Sequence, residues 1–423
     1  MKLLNKGVFG ALIGLIVITA IPYGTVEPWW KAAFVCAVFA ICILAIIESL
    51  ISGSYRVVGG PILLPMLALS ALAFVQTLSA ISADPFQTRF FALQMLALTA
   101  FLALLYRYAN SERRIRILVF TILGVAVASA IFGILRQTTQ QHTGFILPLL
   151  KPTHGYGQFV NKNHFAYLME MAFGLGLGII LGGGVQRDRI TIYIALLLPI
   201  WTGLVLANSR GGILAMLAQV LVAALLLLSF HTNIARSLAL KATLLIILIA
   251  GVLLGTVWVG GDRLVNTFAT AGTELNTDTT REGASRNEIW RASLKMFAAH
   301  PILGVGLGGY WIGITAYHDA SGLMTPQEAH NDYLELLSSG GLIGFALGVW
   351  FAVGLIREAH RSLFADTGFM GAVRFGAVLG IAGGAAHSLV DFGLHMIANA
   401  VVFLTLIMMA TQRKIVDLNA KEL

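Results

Sequence analysis

The segment "EAHNDYLELLSSGGLIG", Glu328 to Gly344, sets a histidine, an asparagine and an acid directly before an apolar run of helical length. His330 is the candidate for chemistry here, because an imidazole exchanges a proton close to neutral pH. Asn331 or Asp332 is placed to cap the helix that opens at Tyr333. The helix N-terminus favours a neutral imidazole, whereas a neighbouring Glu328 or Asp332 favours the cation. A proton acceptor and a polar anchor at a membrane surface are both compatible with these residues.

Arg210, in "LANSRGGILA", lies between two apolar runs with almost no loop. An arginine near the membrane core costs about 2.5–3.5 kcal/mol on insertion scales unless it snorkels or finds an anion. A phosphorylated ligand would satisfy it, and so would a carboxylate such as Asp391. The adjacent Gly211 and Gly212 allow a ligand or another helix to approach the backbone closely. Arg136, Lys162, Arg281, Arg286 and Arg291 could join Arg210 around phosphate, since guanidinium forks bind it bidentately. Solvated loop charge is the plainer reading of Arg291 and Lys295.

"GQFVNKNHFAYL" places Asn161, Lys162, Asn163 and His164 just before another apolar run, where the asparagines can cap the helix or hydrogen-bond a sugar. "HSLVDFGLH" spaces His387, Asp391 and His395 four residues apart, which gives one helical face if the helix continues through Gly393. A metal site there lacks matching cysteines or further carboxylates nearby. "HPILGVGLGGY" matches a dinucleotide fingerprint only in its glycines, without the strand and helix that a phosphate cradle requires. No HExxH, GxSxG or Walker sequence is present.

The elements that must position these residues are membrane helices. The chain is 57% hydrophobic and 11% charged, with a mean hydropathy of +0.83, which excludes an ordinary soluble domain. Long apolar runs without alternation exclude a barrel and leave an all-α polytopic fold. Apolar helices are expected near 7–23, 29–47, 61–80, 90–106, 115–135, 164–182, 190–207, 211–230, 240–259, 333–356, 371–389 and 398–411, about twelve spans. The first follows a basic start like a signal-peptide core, but no small-residue cleavage pattern succeeds it, so it reads as an uncleaved span. Cys36 and Cys42 fall on different faces of one helix and read as inert thiols.

With a cytoplasmic N-terminus, most Lys and Arg, including "RYANSERRIR" and "TQRK", fall on the cytoplasmic side, and both termini lie there. Most histidines fall outside. Two outer loops are long, 136–163 and 260–332. The second includes an amphipathic helix at 285–299 on which Ile289, Leu294, Phe297 and Ala298 are expected to face one way. The whole chain, 1–423, reads as a single membrane domain.

"NSRGG" between two spans, then "SRNEIWRASLKMFAAHPILGVGLGGY", then "AHNDYLELLSSGGLIG", resembles the bacterial O-antigen ligase and polymerase superfamily. "GQFVNKNHFAYL" and "HSLVDFGLHMIANA" are similar to further blocks of that superfamily, so the likeness spans roughly 155–400. The resemblance implies a GT-C-like, metal-independent, inverting glycosyltransferase of the bacterial inner membrane that works on the periplasmic side without a cofactor. Its donor would be a glycan on undecaprenyl diphosphate, and its acceptor a lipid A core sugar or another lipid-linked glycan. Membrane lipids, but no nucleic acid, are the other expected partners. By position, His330 corresponds to the family's essential histidine, Arg210 to the arginine between adjacent spans, and Arg286 to the loop arginine. Arg210, Arg286, Arg136 and Lys162 are the expected diphosphate contacts. Asn161, Asn163, Asp332, His387 and Asp391 are the expected acceptor or sugar contacts. A polymerase that joins repeat units shares donor and chemistry with a ligase. A transporter of lipid-linked anions would also carry cations, but calls for paired interrupted spans that are not seen.

Overall fold

The computed structural model describes residues 2–53, 59–139, 150, 155–229, 286–318, 326–363 and 365–412. These residues are helical apart from turns and one antiparallel bridge, Tyr156 to Phe159. In chain order the helices are α1 (Lys2–Ala20), α2 (Pro28–Ser52), α3 (Gly60–Leu78), α4 (Pro85–Tyr108), α5 (Glu112–Thr139), α6 (Lys162–Leu181), α7 (Ile190–Leu206) and α8 (Arg210–Ser229). They continue with α9 (Arg286–Ala299), the short α10 (Tyr310–Gly313), α11 (Asp332–Leu363), α12 (Gly368–His387) and α13 (Ile397–Thr411).

Ten helices among the described residues are long and apolar enough to cross a membrane, and α13 is a shorter apolar one. Eleven of the expected spans therefore have a helix. The span expected at 240–259 lies outside the described residues, as do 140–149 and 151–154 of the first long loop, and 260–285, with Arg281, and 319–325 of the second. On α9 the buried residues are Ile289, Ala292, Ser293 and Met296. The face expected from Leu294, Phe297 and Ala298 is corrected: Leu294 is exposed, because five residues from Ile289 carry it to another side of a 3.6-residue helix.

The tightest helix pair is α6 against α12. A Cβ on Gly174 would lie 2.7 Å from Gly380 N, one on Gly178 2.2 Å from Gly376 Cα, and one on Gly182 2.8 Å from Ala372 Cα. The two small-residue stripes repeat every fourth residue and run antiparallel, so the backbones touch directly, as small-xxx-small helices do in lipid. Followed toward the other end of the pair, the same register sets Tyr167 and Glu170 against His387, and Asn163 against Asp391.

The glycine run after α9 works as a backbone clasp. Gly304 (φ 66°) and Gly341 (φ 63°, inside α11) pack so closely that a Cβ on either would meet the other segment's carbonyl at 2.3 Å. Around them Gly306 N donates to Ser339 O at 3.0 Å, Leu342 N to Pro301 O at 2.8 Å, and Ala83 N to Val305 O at 2.8 Å. Gln76 of α3 closes the clasp: its amide donates to Leu303 O and Ser339 O, and its oxygen accepts from Leu307 N. The run thus breaks α11 at Gly341 and fixes residues 301–307 against α3 and α11.

At the opposite end of the bundle, the basic residues are folded into the structure. Glu48 accepts from Arg107 at 2.7 Å and Tyr108 at 3.0 Å, and Arg114 donates to Asn5 at 2.6 Å. The fully buried Arg374 donates to Ser362 O and Gln412 O at 2.9 and 2.8 Å.

The seam makes a stability prediction. Gly178→Val should destabilise the protein by about 1–3 kcal/mol, as overpacking does. Gly124→Ala, where a Cβ meets nothing within 4 Å, should change it little. Thermal unfolding in detergent reads both.

Candidate active site

Asp391 is the hub of the site. It lies in the turn after α12, 1% exposed, and takes a hydrogen bond from the Asn163 side-chain amide. Its carboxylate lies 3.7 Å from His330 Nδ1, 3.9 Å from His164 Nε2 and 3.9 Å from an Arg286 guanidinium nitrogen. These three are ion-pair distances, longer than hydrogen bonds. Burial alone would raise the Asp391 carboxyl, but His330, His164 and His387 outweigh it and hold it well below the usual carboxylate range. Phe392 sets its ring edge-on between His164 and His330, with centroids 4.8 and 4.9 Å away.

His330 is held in position by its backbone. Its φ of 51° is in the left-handed region, at a cost of order 1–3 kcal/mol that functional sites commonly carry. On one side Trp290 of α9 donates to Ala329 O at 2.9 Å. On the other, Asn331 caps α11, accepting from Tyr333 N at 3.1 Å and Leu334 N at 3.0 Å.

Arg286, 40% exposed, is the loop arginine that reaches the hub, while Arg291 and Lys295 are exposed, as expected of solvated charge. Arg210 begins α8 at the same end of the bundle. The alternative in which Asp391 pairs with Arg210 is not formed: among the described residues the ion-pair partners of Asp391 are His164, Arg286 and His330. The glycine beside it serves a helix contact, since a Cβ on Gly211 would sit 2.3 Å from His387 Nε2. Lys162 donates to Asn208 O at 3.0 Å, which ties α6 to the α7–α8 turn. Arg136 is fully buried and donates to Gly157 O at 2.9 Å. Asn161 caps α6 by accepting from Asn163 N at 2.8 Å.

The four-residue spacing of His387, Asp391 and His395 does not make one helical face. α12 ends at His387, the chain turns, and a short 3-10 helix spans Gly393–His395. His387 lies beneath the site, fully buried, stacked on Tyr167 and 2.9 Å from Glu170. Glu170, an acid inside an apolar span, was the sequence signal for this partner, because such a group must be paired.

His395 belongs to a second cluster. Its ring nitrogens lie 3.3 Å from Glu328, 3.4 Å from Asp332 and 3.8 Å from Glu335. The acids expected to bias His330 thus surround His395, and Asp391 stands beside His330. Burial pulls His395 down, but Glu335 and Glu328 outweigh it and raise its pKa to about 10. Burial likewise pushes Glu328 up, and His395 reverses the sign and lowers it. Ligand atoms of Glu328, Glu335 and His395 lie within 4.8 Å of one another. A cation there would require the imidazole to give up its proton first.

A cavity of 420 Å³ opens beside the hub, with His330, His164, Phe392 and Asn161 in its wall. Neither Arg210 nor Arg286 lines it.

The helical array and this polar end define a polytopic membrane protein with a histidine, carboxylate and arginine site at one end of its bundle. Residues 194–349, less than half of the chain, match the family model described as O-Antigen ligase, and the match supports membership of the O-antigen ligase superfamily. It therefore supports O-antigen ligase or polymerase-type function in general. No curated protein matches the chain. The matched segment supplies Arg210, Arg286, Glu328 and His330, while Asn163, His164 and Asp391 come from outside it.

The second cluster predicts a pH effect. Because the folded-state pKa of His395 is raised from 6.5 to about 10, its stabilising contribution is complete below the lower value and is lost as pH climbs through the upper one. The melting temperature in detergent should fall across that window, and His395→Gln should flatten the slope.

Proposed function

We propose that the protein is a glycosyltransferase that moves a glycan from undecaprenyl diphosphate to a hydroxyl of a lipid A core or related glycan acceptor. The reaction is placed at the periplasmic face of the bacterial inner membrane, with both termini cytoplasmic. The observation that carries this reading is the convergence of His330 and Arg286, both within the family-matched segment, on the single buried carboxylate of Asp391.

In this reading the acceptor oxygen attacks the anomeric carbon from the face opposite the diphosphate, the bond from that carbon to the diphosphate oxygen breaks, and the configuration inverts. His330 takes the hydroxyl proton. Asp391 orients the imidazole and compensates the positive charge it gains, as a buried carboxylate behind a histidine does. A diphosphate leaves as a stable anion, so no general acid is needed. What the leaving group needs is positive charge, strongest in effect as its own charge develops.

Arg286 suits that task because it is partly exposed and, at 3.9 Å, is not hydrogen-bonded to Asp391. Its N–H fork remains available for phosphate oxygens. Arg210 is assigned the same ligand from its place at the start of α8. Arg136 and Lys162 act by tying the 155–160 turn and the α7–α8 turn to the bundle, so in this reading they position the site. The chemistry is assigned without a metal. A polymerase would run the same reaction on a different acceptor.

The test is transfer by purified protein from an undecaprenyl-diphosphate-linked oligosaccharide, read as release of undecaprenyl diphosphate. His330→Ala should lower the rate by about 10²–10⁴-fold, the range of general-base catalysis, with donor binding retained. Asp391→Asn should lower turnover and shift its pH profile. Arg286→Lys should weaken donor binding, since one ammonium cannot replace a fork. Dialysis against EDTA should leave activity intact. Full activity in a folded His330→Ala protein, or donor carried across vesicles unbroken, would overturn the reading.

A further inference from the structure

The cavity beside His330 is built largely by a part of the chain that the family match does not reach. Its far wall is the turn between α1 and α2, which contributes Tyr23, and the first turn of α2, which contributes Lys31. The facing wall is the segment before α11, with Gln327, Glu328 and His330. The wall from α1 to α2 is strained: Tyr23 and Thr25, neither of them glycine, have φ of 54° and 60° on either side of Gly24 at 67°. Such strain persists only where surrounding contacts enforce it, and it gathers at ligand clamps. Here the enforcing contacts are Thr25 Oγ1 to Thr19 O at 2.6 Å, Ala398 N to Gly24 O at 3.4 Å, and the Phe159 ring against Gly24.

The lining chemistry selects a ligand class. It combines a carboxylate (Glu328), an ammonium (Lys31), two amides (Asn161 and Gln327), two imidazoles (His164 and His330) and two further aromatic rings (Tyr23 and Phe392), and no arginine is among the described residues that line it. Carboxylate, ammonium and amide together pair with neighbouring hydroxyls, donor to acceptor, while rings cover the apolar face of a sugar. A phosphate would instead meet the Glu328 carboxylate, which is backed by His395 Nδ1 at 3.3 Å. The volume of 420 Å³ lies within the range of about 300–1,000 Å³ occupied by small-ligand pockets. With His330 in the wall, a hydroxyl held here stands at the proposed base.

We infer that this cavity is the acceptor subsite, which takes an unphosphorylated sugar ring through its hydroxyls, and that Tyr23, Lys31 and Glu328 determine which sugar is accepted. The inference rests on the proposed glycosyl transfer for its meaning but not for its test. It divides the site by chemistry: the arginines outside the cavity hold phosphate, and the N-terminal turn reads the acceptor. Lys31, a cation on the side that the charge rule for loops disfavours, thereby gains a role.

The experiment uses the full chain in nanodiscs and two probes. The first is a panel of methyl glycosides of glucose, galactose, glucosamine and glucuronic acid, with glucose 6-phosphate beside them, read by saturation-transfer NMR. The second is undecaprenyl diphosphate, read by tryptophan fluorescence. At least one unphosphorylated glycoside should bind, and glucose 6-phosphate should not. Lys31→Met and Glu328→Gln should each weaken that glycoside by about tenfold, the effect of losing one good polar contact, with undecaprenyl diphosphate binding unchanged. Arg286→Gln should do the reverse. Because Glu328 also pairs with His395, its variant can lose the fold, and Lys31→Met on the opposite wall then decides. Unaltered glycoside binding in Lys31→Met, no glycoside binding at all, or preference for the phosphorylated sugar would overturn the inference. Loss of undecaprenyl diphosphate binding from the unaltered protein, with glycoside binding intact, would instead sink the glycosyl-transfer reading and leave a sugar site.

Discussion

The contact between α6 and α12 sets the rest of the polar end. Glycines on α6 meet glycines and an alanine on α12 at backbone distance, and a pair seated that closely has one register. Lipid supplies no hydrophobic drive for helices to associate, so this packing must come from close van der Waals contact. Carried along the helices, the register delivers Glu170 to His387 and then Asn163 to Asp391. A slip by one residue would separate each of these pairs, and each contains a buried polar group that is costly to leave alone.

Around that frame the charges divide into two groups. One carboxylate, Asp391, serves His164, His330 and Arg286. Three carboxylates, Glu328, Asp332 and Glu335, surround His395. The first group sets the Arg286 guanidinium and two imidazoles beside a single carboxylate. The second is rich in acids and is balanced from within. Their separation lets a carboxylate face the cavity without neutralising the arginine assigned to phosphate.

The membrane fold was legible because composition and run length alone demand it. His330 could be named as a candidate from its residue type in an apolar chain, and Arg286 from the order of motifs that the family resemblance rests on; the structure brings both near Asp391. Asp391 was named as a sugar contact but not as the hub, since its partners come from three other segments: the start of α6, the start of α9 and the turn before α11. The expected shared face of His387, Asp391 and His395 failed because α12 stops at His387 and the chain turns. Residue type offered Arg136 as a diphosphate contact, whereas its burial against Gly157 is a tertiary fact. Glu170 could have been found, as an acid with no business inside an apolar span. Lys31 stood out only as a cation on the disfavoured side, because nothing in the sequence brings the start of α2 near residue 328.

The bond between Asn163 and Asp391 spans 228 positions of the chain. Synthesis runs from the N-terminus, so Asn163, His164, Arg286 and His330 enter the bilayer region before their common carboxylate has been made. The hub therefore has no precursor: a nascent chain that halts short of α12 holds these side chains with nothing to gather them. The gathering of these side chains around one carboxylate is thus completed only after α12 has been made.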